Sequence, residues 1–230
     1  MQKKYGPAQT SPHARWALYA CVPLLILFAV LAHHVALDRA FALDSWLLLQ
    51  FRDAGHLAQP AGPAWLRKVL GDLTVLGGGP ALTLVTVIAT GYFLARRRPG
   101  SALVLLAAAG SAAQLNSLLK HHFLRERPTI VPHLLEVGSA SFPSAHAMNS
   151  AAIYLTLAAL LTMGEASRPV RRFWVATALL LVLLIGTTRL YLGVHWPSDV
   201  LAGWCLGGSW AAAWAFVAAR WTRSGLPLPG

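Results

Sequence analysis

Long runs without an ionisable side chain constrain this 230-residue chain more than any other feature. A helix crossing a bilayer needs about 20 consecutive, mainly apolar residues. Trp16 to Leu37, Leu73 to Ala95, Pro99 to Leu119 and Val200 to Ala219 contain no Asp, Glu, Lys or Arg. Val137 to Gly164 carries only His146, and Phe173 to Val194 only Arg189. This pattern predicts an all-α integral membrane protein: six transmembrane helices in one bundle, a single domain over residues 1–230 with its core at about 16–221.

Charge enters as the orienting signal. The net charge is +11, which in a soluble chain would invite a nucleic-acid reading. Here the cations sit between spans, so no nucleic-acid partner is expected. Lys3, Lys4 and Arg15 precede the first span. Arg96–98, Arg168, Arg171, Arg172, Arg220 and Arg223 follow the second, fourth and sixth. With six spans, eleven cations and one acid, Glu165, fall on one side, against eight cations and seven acids on the other. The positive-inside rule makes the first side, and both termini, cytoplasmic. In a bacterial-type cell this means the inner membrane, with the opposite face periplasmic. The first span is read as retained: its apolar run is too long for a leader, and Asp38 and Arg39 separate it from the leader-like Ala40-Phe41-Ala42. Cys21 and Cys205 are read as packing residues. The 37–72 segment is predicted to hold a surface helix over Phe41 to Arg52, with Leu43, Leu47 and Phe51 on one face.

Polar groups at helix mouths are costly, and here they cluster. Lys120 ends the third span and Arg127-Pro128 follows it. Pro143-Ser144-Ala145-His146 lies at the fourth. Arg189 is near the end of the fifth, and His195 and Asp199 flank the start of the sixth. All fall on the predicted outer side. Three cations suit an anion, and a helix start with Ser144 and the Ala145 N–H suits a phosphate. Asp199 at i+4 is placed to orient His195 as a nucleophile, leaving His146 as a separate acid or base. His33, His34, His121, His122, His133, Arg125 and Glu136 show no spacing partner and read as interfacial or loop residues.

Three motifs carry a resemblance: K-H-H-F-L-R-E-R-P at Lys120–Pro128, P-S-A-H at Pro143–His146, and T-R-L-Y-L-G-V-H-W-P-S-D at Thr188–Asp199. In this order the chain resembles the type 2 phosphatidic acid phosphatase superfamily, which includes vanadium haloperoxidases. Ala145 stands where a Gly is common and Thr188 where a Ser is usual. The resemblance implies a membrane-embedded phosphatase for a lipid phosphate or diphosphate, of the undecaprenyl diphosphate, phosphatidylglycerol phosphate or phosphatidate type. It implies a phosphohistidine on His195, with Asp199 orienting it. His146 protonates the leaving oxygen and then activates water, while Lys120, Arg127, Ser144, Ala145 and Arg189 bind the phosphoryl group. No metal or cofactor is expected. A lipid phosphotransferase with the same intermediate and a transporter of an anionic lipid or solute are the alternatives. A rhomboid-type protease is disfavoured by the absence of G-x-S-G, and a metal hydrolase by the nearby cations and the absence of H-E-x-x-H.

Overall fold

The chain's most apolar segments fold as long helices, and the loops between them gather at two ends. The structure is a computed structural model that describes residues 12–38 and 41–221. Lys3, Lys4, Arg39, Ala40 and Arg223, on which the topology and leader readings drew, lie outside the described residues. Helices run in the order α1 (Pro12–Ala36), α2 (Ala42–Leu49), α3 (Ala64–Thr74), a 3₁₀ turn (Val75–Gly77), α4 (Gly79–Ala95), α5 (Pro99–Phe123), α6 (Ala145–Thr162), α7 (Arg168–Tyr191) and α8 (Pro197–Trp221). No strand occurs among the described residues.

Helices α5 to α8 are each long and apolar enough to cross a bilayer. The pair α3–α4 qualifies only as a unit bent by 52°, and α1 contributes the shorter apolar stretch Cys21–Ala36. The sequence also places Gly77-Gly78-Gly79-Pro80 near the edge of the span expected over 73–95; in the structure that run is where α3 and α4 are broken from each other. Packing explains the break. A Cβ on Gly77 would collide with Ile185 of α7 and come within 3.2 Å of the His146 ring. Tyr154 of α6 donates to the Leu76 carbonyl at 2.9 Å. The fourth span is corrected: residues 124–144 are mainly irregular loop, and the helix starts at Ala145. Left-handed Leu124 (φ 48°) ends α5, and its N–H bonds the Lys120 carbonyl.

Helix α6 is central, packing on α5, α7 and α8, while α1 lies along α8. Lipid tails are as apolar as leucine, so helix association in a membrane depends on close backbone approach at small residues. Gly203 and Gly207, one turn apart on α8, meet Ala147 and Ala151 of α6. A Cβ at 203 would stand 2.9 Å from both Ala147 Cβ and the Ser144 carbonyl. This contact sets the spacing of the two helix starts that frame the site.

The surface helix α2 keeps Leu43 outward, as an apolar face toward lipid requires, and buries a second face that the sequence pattern did not signal. Leu43 is 72% exposed, whereas Asp44 (3%) and Leu48 (0%) are buried. Two polar interactions hold that second face: Asp44 accepts the Ser198 N–H at 2.7 Å and the Ser198 hydroxyl at 2.5 Å. The first supplies a partner to a backbone donor in the opening turn of α8, where donors have no partner within the helix.

Candidate active site

The last turns of α5 and α7 and the first turns of α6 and α8 meet at one end of the bundle. Lys120, His146, Arg189 and Asp199 therefore share a mouth with Arg127 and His195 from the adjoining loops. Electrostatic interaction links His146 to Lys120, Arg127, Arg189 and His195. All eight residues singled out in the sequence lie in this region, with Ser144 and Ala145 at the α6 start.

The turn that carries His195 is tightly specified. Gly193 has φ 72°, and a Cβ there would come within 3.0 Å of the Pro132 carbonyl and Val131. Only glycine takes that conformation without strain. Pro197 opens α8 with the fixed φ suited to a first helical position. Asp199 reaches back to accept the Trp196 N–H at 2.9 Å, which is the carboxylate half of a capping box. The same Oδ2 accepts the Ser141 hydroxyl at 2.5 Å and stands 3.4 Å from His195 Nδ1. Ser141 Oγ is itself 3.3 Å from Nδ1. The ring is thus held through Nδ1, leaving Nε2 on the side of Arg127, whose Nη1 is 3.3 Å away.

The cations are fixed by backbone and hydroxyl acceptors. Lys120 donates to the Ala140 carbonyl. Arg127 donates to the carbonyls of Val194 and, at 2.8 Å, Ser139. Arg189 donates to Thr74 Oγ1 at 2.9 Å, and its buried Nε and the buried Ser144 Oγ have no hydrogen-bond partner among the described residues. Burial lowers the affinity of Arg127 for its proton, with Asp199 opposing the shift. Burial also pushes His195 down to about 3, aided by Arg127 and Arg189 and opposed by Asp199. A neutral imidazole beside fixed cations is suited to attack an anion that those cations hold. Thr188 turns its hydroxyl to the Ile185 carbonyl at 2.6 Å, so the added methyl costs no partner.

Three functional-site residues escaped the sequence reading. Arg125, read there as an interfacial or loop residue with no partner, does lie in a loop, but the absence of a partner is corrected: it bonds Asp199 Oδ1 at 2.5 Å and Asp44 Oδ2 at 2.9 Å. Ser141 and Asp44 were not singled out at all. Their partners lie 54 to 154 positions away along the chain, so no local spacing signals them. Among the described residues, no group of three or more His, Cys, Asp or Glu is arranged to hold a metal ion.

Helices apolar enough to span a bilayer, with a cation-lined polar site at one mouth, define an integral membrane protein equipped to handle an anion. Residues 100–223 match the model of the PAP2 superfamily. Phosphatidylglycerophosphatase B of Bacillus subtilis (strain 168) is 32% identical over 193 residues, covering 83% of this chain and 90% of that protein. Undecaprenyl-diphosphatase of Sulfolobus acidocaldarius is 40% identical over 70 residues, 30% of this chain and 29% of that one. The crystal structure of a transmembrane PAP2-type phosphatidylglycerolphosphate phosphatase from Bacillus subtilis superposes with a TM-score of 0.73 at 28% identity, covering 92% of this chain and 100% of that one. The chain belongs to the PAP2 superfamily.

Proposed function

We propose that the protein is a membrane lipid phosphatase that works through a phosphohistidine on His195. The observation that carries this reading is the His195 ring: it is held through Nδ1 beside Asp199 and Ser141, with Nε2 beside Arg127. Lys120, Arg127, Arg189, Ser144 and the Ala145 N–H bind the phosphoryl oxygens, so charge developing in transfer meets donors already in place. Nε2 attacks phosphorus as the bond to the lipid oxygen breaks, and His146 protonates that oxygen. His146 then takes a proton from water, whose oxygen attacks phosphorus and breaks the P–N bond. Inorganic phosphate leaves and His195 returns to its neutral state.

The substrate is a lipid phosphate or diphosphate of the phosphatidylglycerol phosphate, undecaprenyl diphosphate or phosphatidate type. The names of the relatives support this class. So does a groove of about 320 Å³ lined by Gly79, Leu82, Val87, Leu106 and Ile153, beside the start of α6. Its apolar walls suit a lipid chain while the head reaches the mouth. Six spans with both termini cytoplasmic, in the inner membrane, would put that mouth on the periplasmic leaflet. The basic loops at Arg96–98 and Arg168–172, at the opposite ends of the helices from the site, support this orientation. Transfer to an alcohol instead of water uses the same intermediate.

The test is phosphate release by purified protein from the three lipids, with and without an alcohol acceptor. Wild type should release phosphate from at least one, and His195→Ala should abolish release. Wild-type rates in His195→Ala would overturn the mechanism, and alkyl phosphate as the main product would make the enzyme a transferase.

A further inference from the structure

Asp199 is one of two carboxylates held by a single guanidinium. Arg125 Nη1 donates to Asp199 Oδ1 at 2.5 Å and to Ser198 Oγ at 2.8 Å. Its Nη2 donates to Asp44 Oδ2 at 2.9 Å. The side chains of Asp199 and Asp44 are 0% and 5% exposed and that of Arg125 15%, so the ion pairs are largely shielded from water. The Arg125 fork lies 5.6 Å from the Trp196 ring, which adds a second restraint on its plane. Asp44 is in turn held by the Ser198 N–H and hydroxyl. With Oδ1 committed to Arg125, Asp199 has only Oδ2 for Ser141, the Trp196 N–H and His195.

We propose that Arg125, anchored by Asp44 of α2, is a positioning residue: it fixes the rotation of the Asp199 carboxylate and through it the aim of His195 Nε2. The inference rests on the phosphohistidine reading above. A planar fork serves two carboxylates at a set angle, whereas a lysine offers one point charge. Both terminal nitrogens of Arg125 are taken up by Asp199, Ser198 and Asp44, so on this proposal its loss acts on the reaction and not on substrate capture. Helix α2 thereby becomes part of the catalytic scaffold, although it lies about 150 residues from Ser198 and Asp199 in sequence.

The test is steady-state hydrolysis of phosphatidylglycerol phosphate in detergent micelles by Arg125→Gln, Arg125→Lys, Asp44→Asn and the Asp44→Asn/Arg125→Gln pair. If another lipid proves to be the better substrate in the panel above, that lipid is used. Thermal unfolding of each variant is followed in parallel. Arg125→Gln should lose roughly 10- to 100-fold in kcat, the usual cost of removing a group that orients a catalytic ligand, with KM within about twofold. Arg125→Lys should recover part of the loss. Asp44→Asn should lose less than Arg125→Gln, and the double variant should be no worse than Arg125→Gln alone, because both act through one contact. Wild-type kcat in folded Arg125→Gln, or a loss confined to KM, overturns the proposal. If Arg125→Gln does not fold, Asp44→Asn decides: wild-type kcat there overturns the proposal equally. Inactive His195→Ala beside fully active Arg125→Gln would sink this inference alone. Activity retained in His195→Ala would sink the reading beneath it.

Discussion

Gly203→Ala offers a test of how tightly the fold controls the chemistry. The new Cβ would lie 2.9 Å from Ala147 Cβ, 2.9 Å from the Ser144 carbonyl and 3.0 Å from the Met148 nitrogen. Carbon contacts settle near 3.5–4.0 Å, so α6 and α8 must separate by about 0.6 Å at this level. Two effects on stability oppose each other. Overpacking costs about 1–3 kcal/mol, while alanine gains up to about 1 kcal/mol of helix propensity over glycine. The net loss is modest. The site should suffer more. The Ser144 N–H bonds the Asp199 carbonyl at 3.1 Å, and those strands of backbone carry Ser144, Ala145 and His146 on one side and Asp199 on the other. A 1 Å misplacement can cost about 100-fold in rate, so a shift of this size should lower kcat by roughly 10- to 50-fold. Thermal unfolding in detergent and kcat on the best lipid of the panel measure the two effects. Gly208→Ala is the control, since its Cβ would meet only Leu24 at an ordinary 3.5 Å. A Gly203→Ala enzyme with wild-type kcat, or a Gly208→Ala enzyme equally impaired, would refute the reasoning.

Other outcomes follow from the electrostatics. Lys120, Arg127 and Arg189 supply the positive charge at the mouth, so EDTA should leave the rate nearly unchanged and vanadate should inhibit. Strong inhibition by EDTA that magnesium reverses would contradict this. Burial holds His195 at about 3 in the folded protein, whereas the unfolded chain binds its proton near 6.5. The folded state resists that proton, so this contribution to stability is full above about pH 6.5 and declines as pH falls towards 3. His195→Asn, which cannot titrate, should therefore show a smaller fall in unfolding temperature between pH 7 and pH 5 than wild type. Equal falls would show that His195 is not buried in its neutral form.

The parts of the site that the sequence made legible are those placed by local chain geometry. His195 and Asp199 straddle a helix start, His146 opens α6, and Lys120 and Arg189 end α5 and α7. Apolar length alone then brings those ends together. Arg125 was illegible because its two carboxylates lie 74 and 81 residues away, and only the packed bundle joins them. Asp44 was obscured by its neighbours: Leu43, Leu47 and Phe51 form a convincing apolar stripe, yet two hydrogen bonds to Ser198 hold a second face, with Asp44 and Leu48, inward. The start of α6 was misjudged because Val137 to Phe142 contains no charged residue, although its backbone is tied to neighbouring loops, as in the bond from Ser141 N–H to the Arg125 carbonyl at 2.8 Å. The Gly77–Pro80 run was visible, but the bend it permits depends on Ile185 and His146, which only tertiary contact reveals.

The central claim is that a phosphoryl group passes through His195. The direct measurement is rapid quench of the enzyme in alkaline denaturant, with lipid labelled in its terminal phosphate, followed by mapping of protein-bound label at alkaline pH. Alkali-stable, acid-labile label should appear on the peptide containing His195, turn over within the catalytic cycle, and vanish in His195→Ala. Label that persists in His195→Ala, or hydrolysis in that variant at the wild-type rate, would contradict the account.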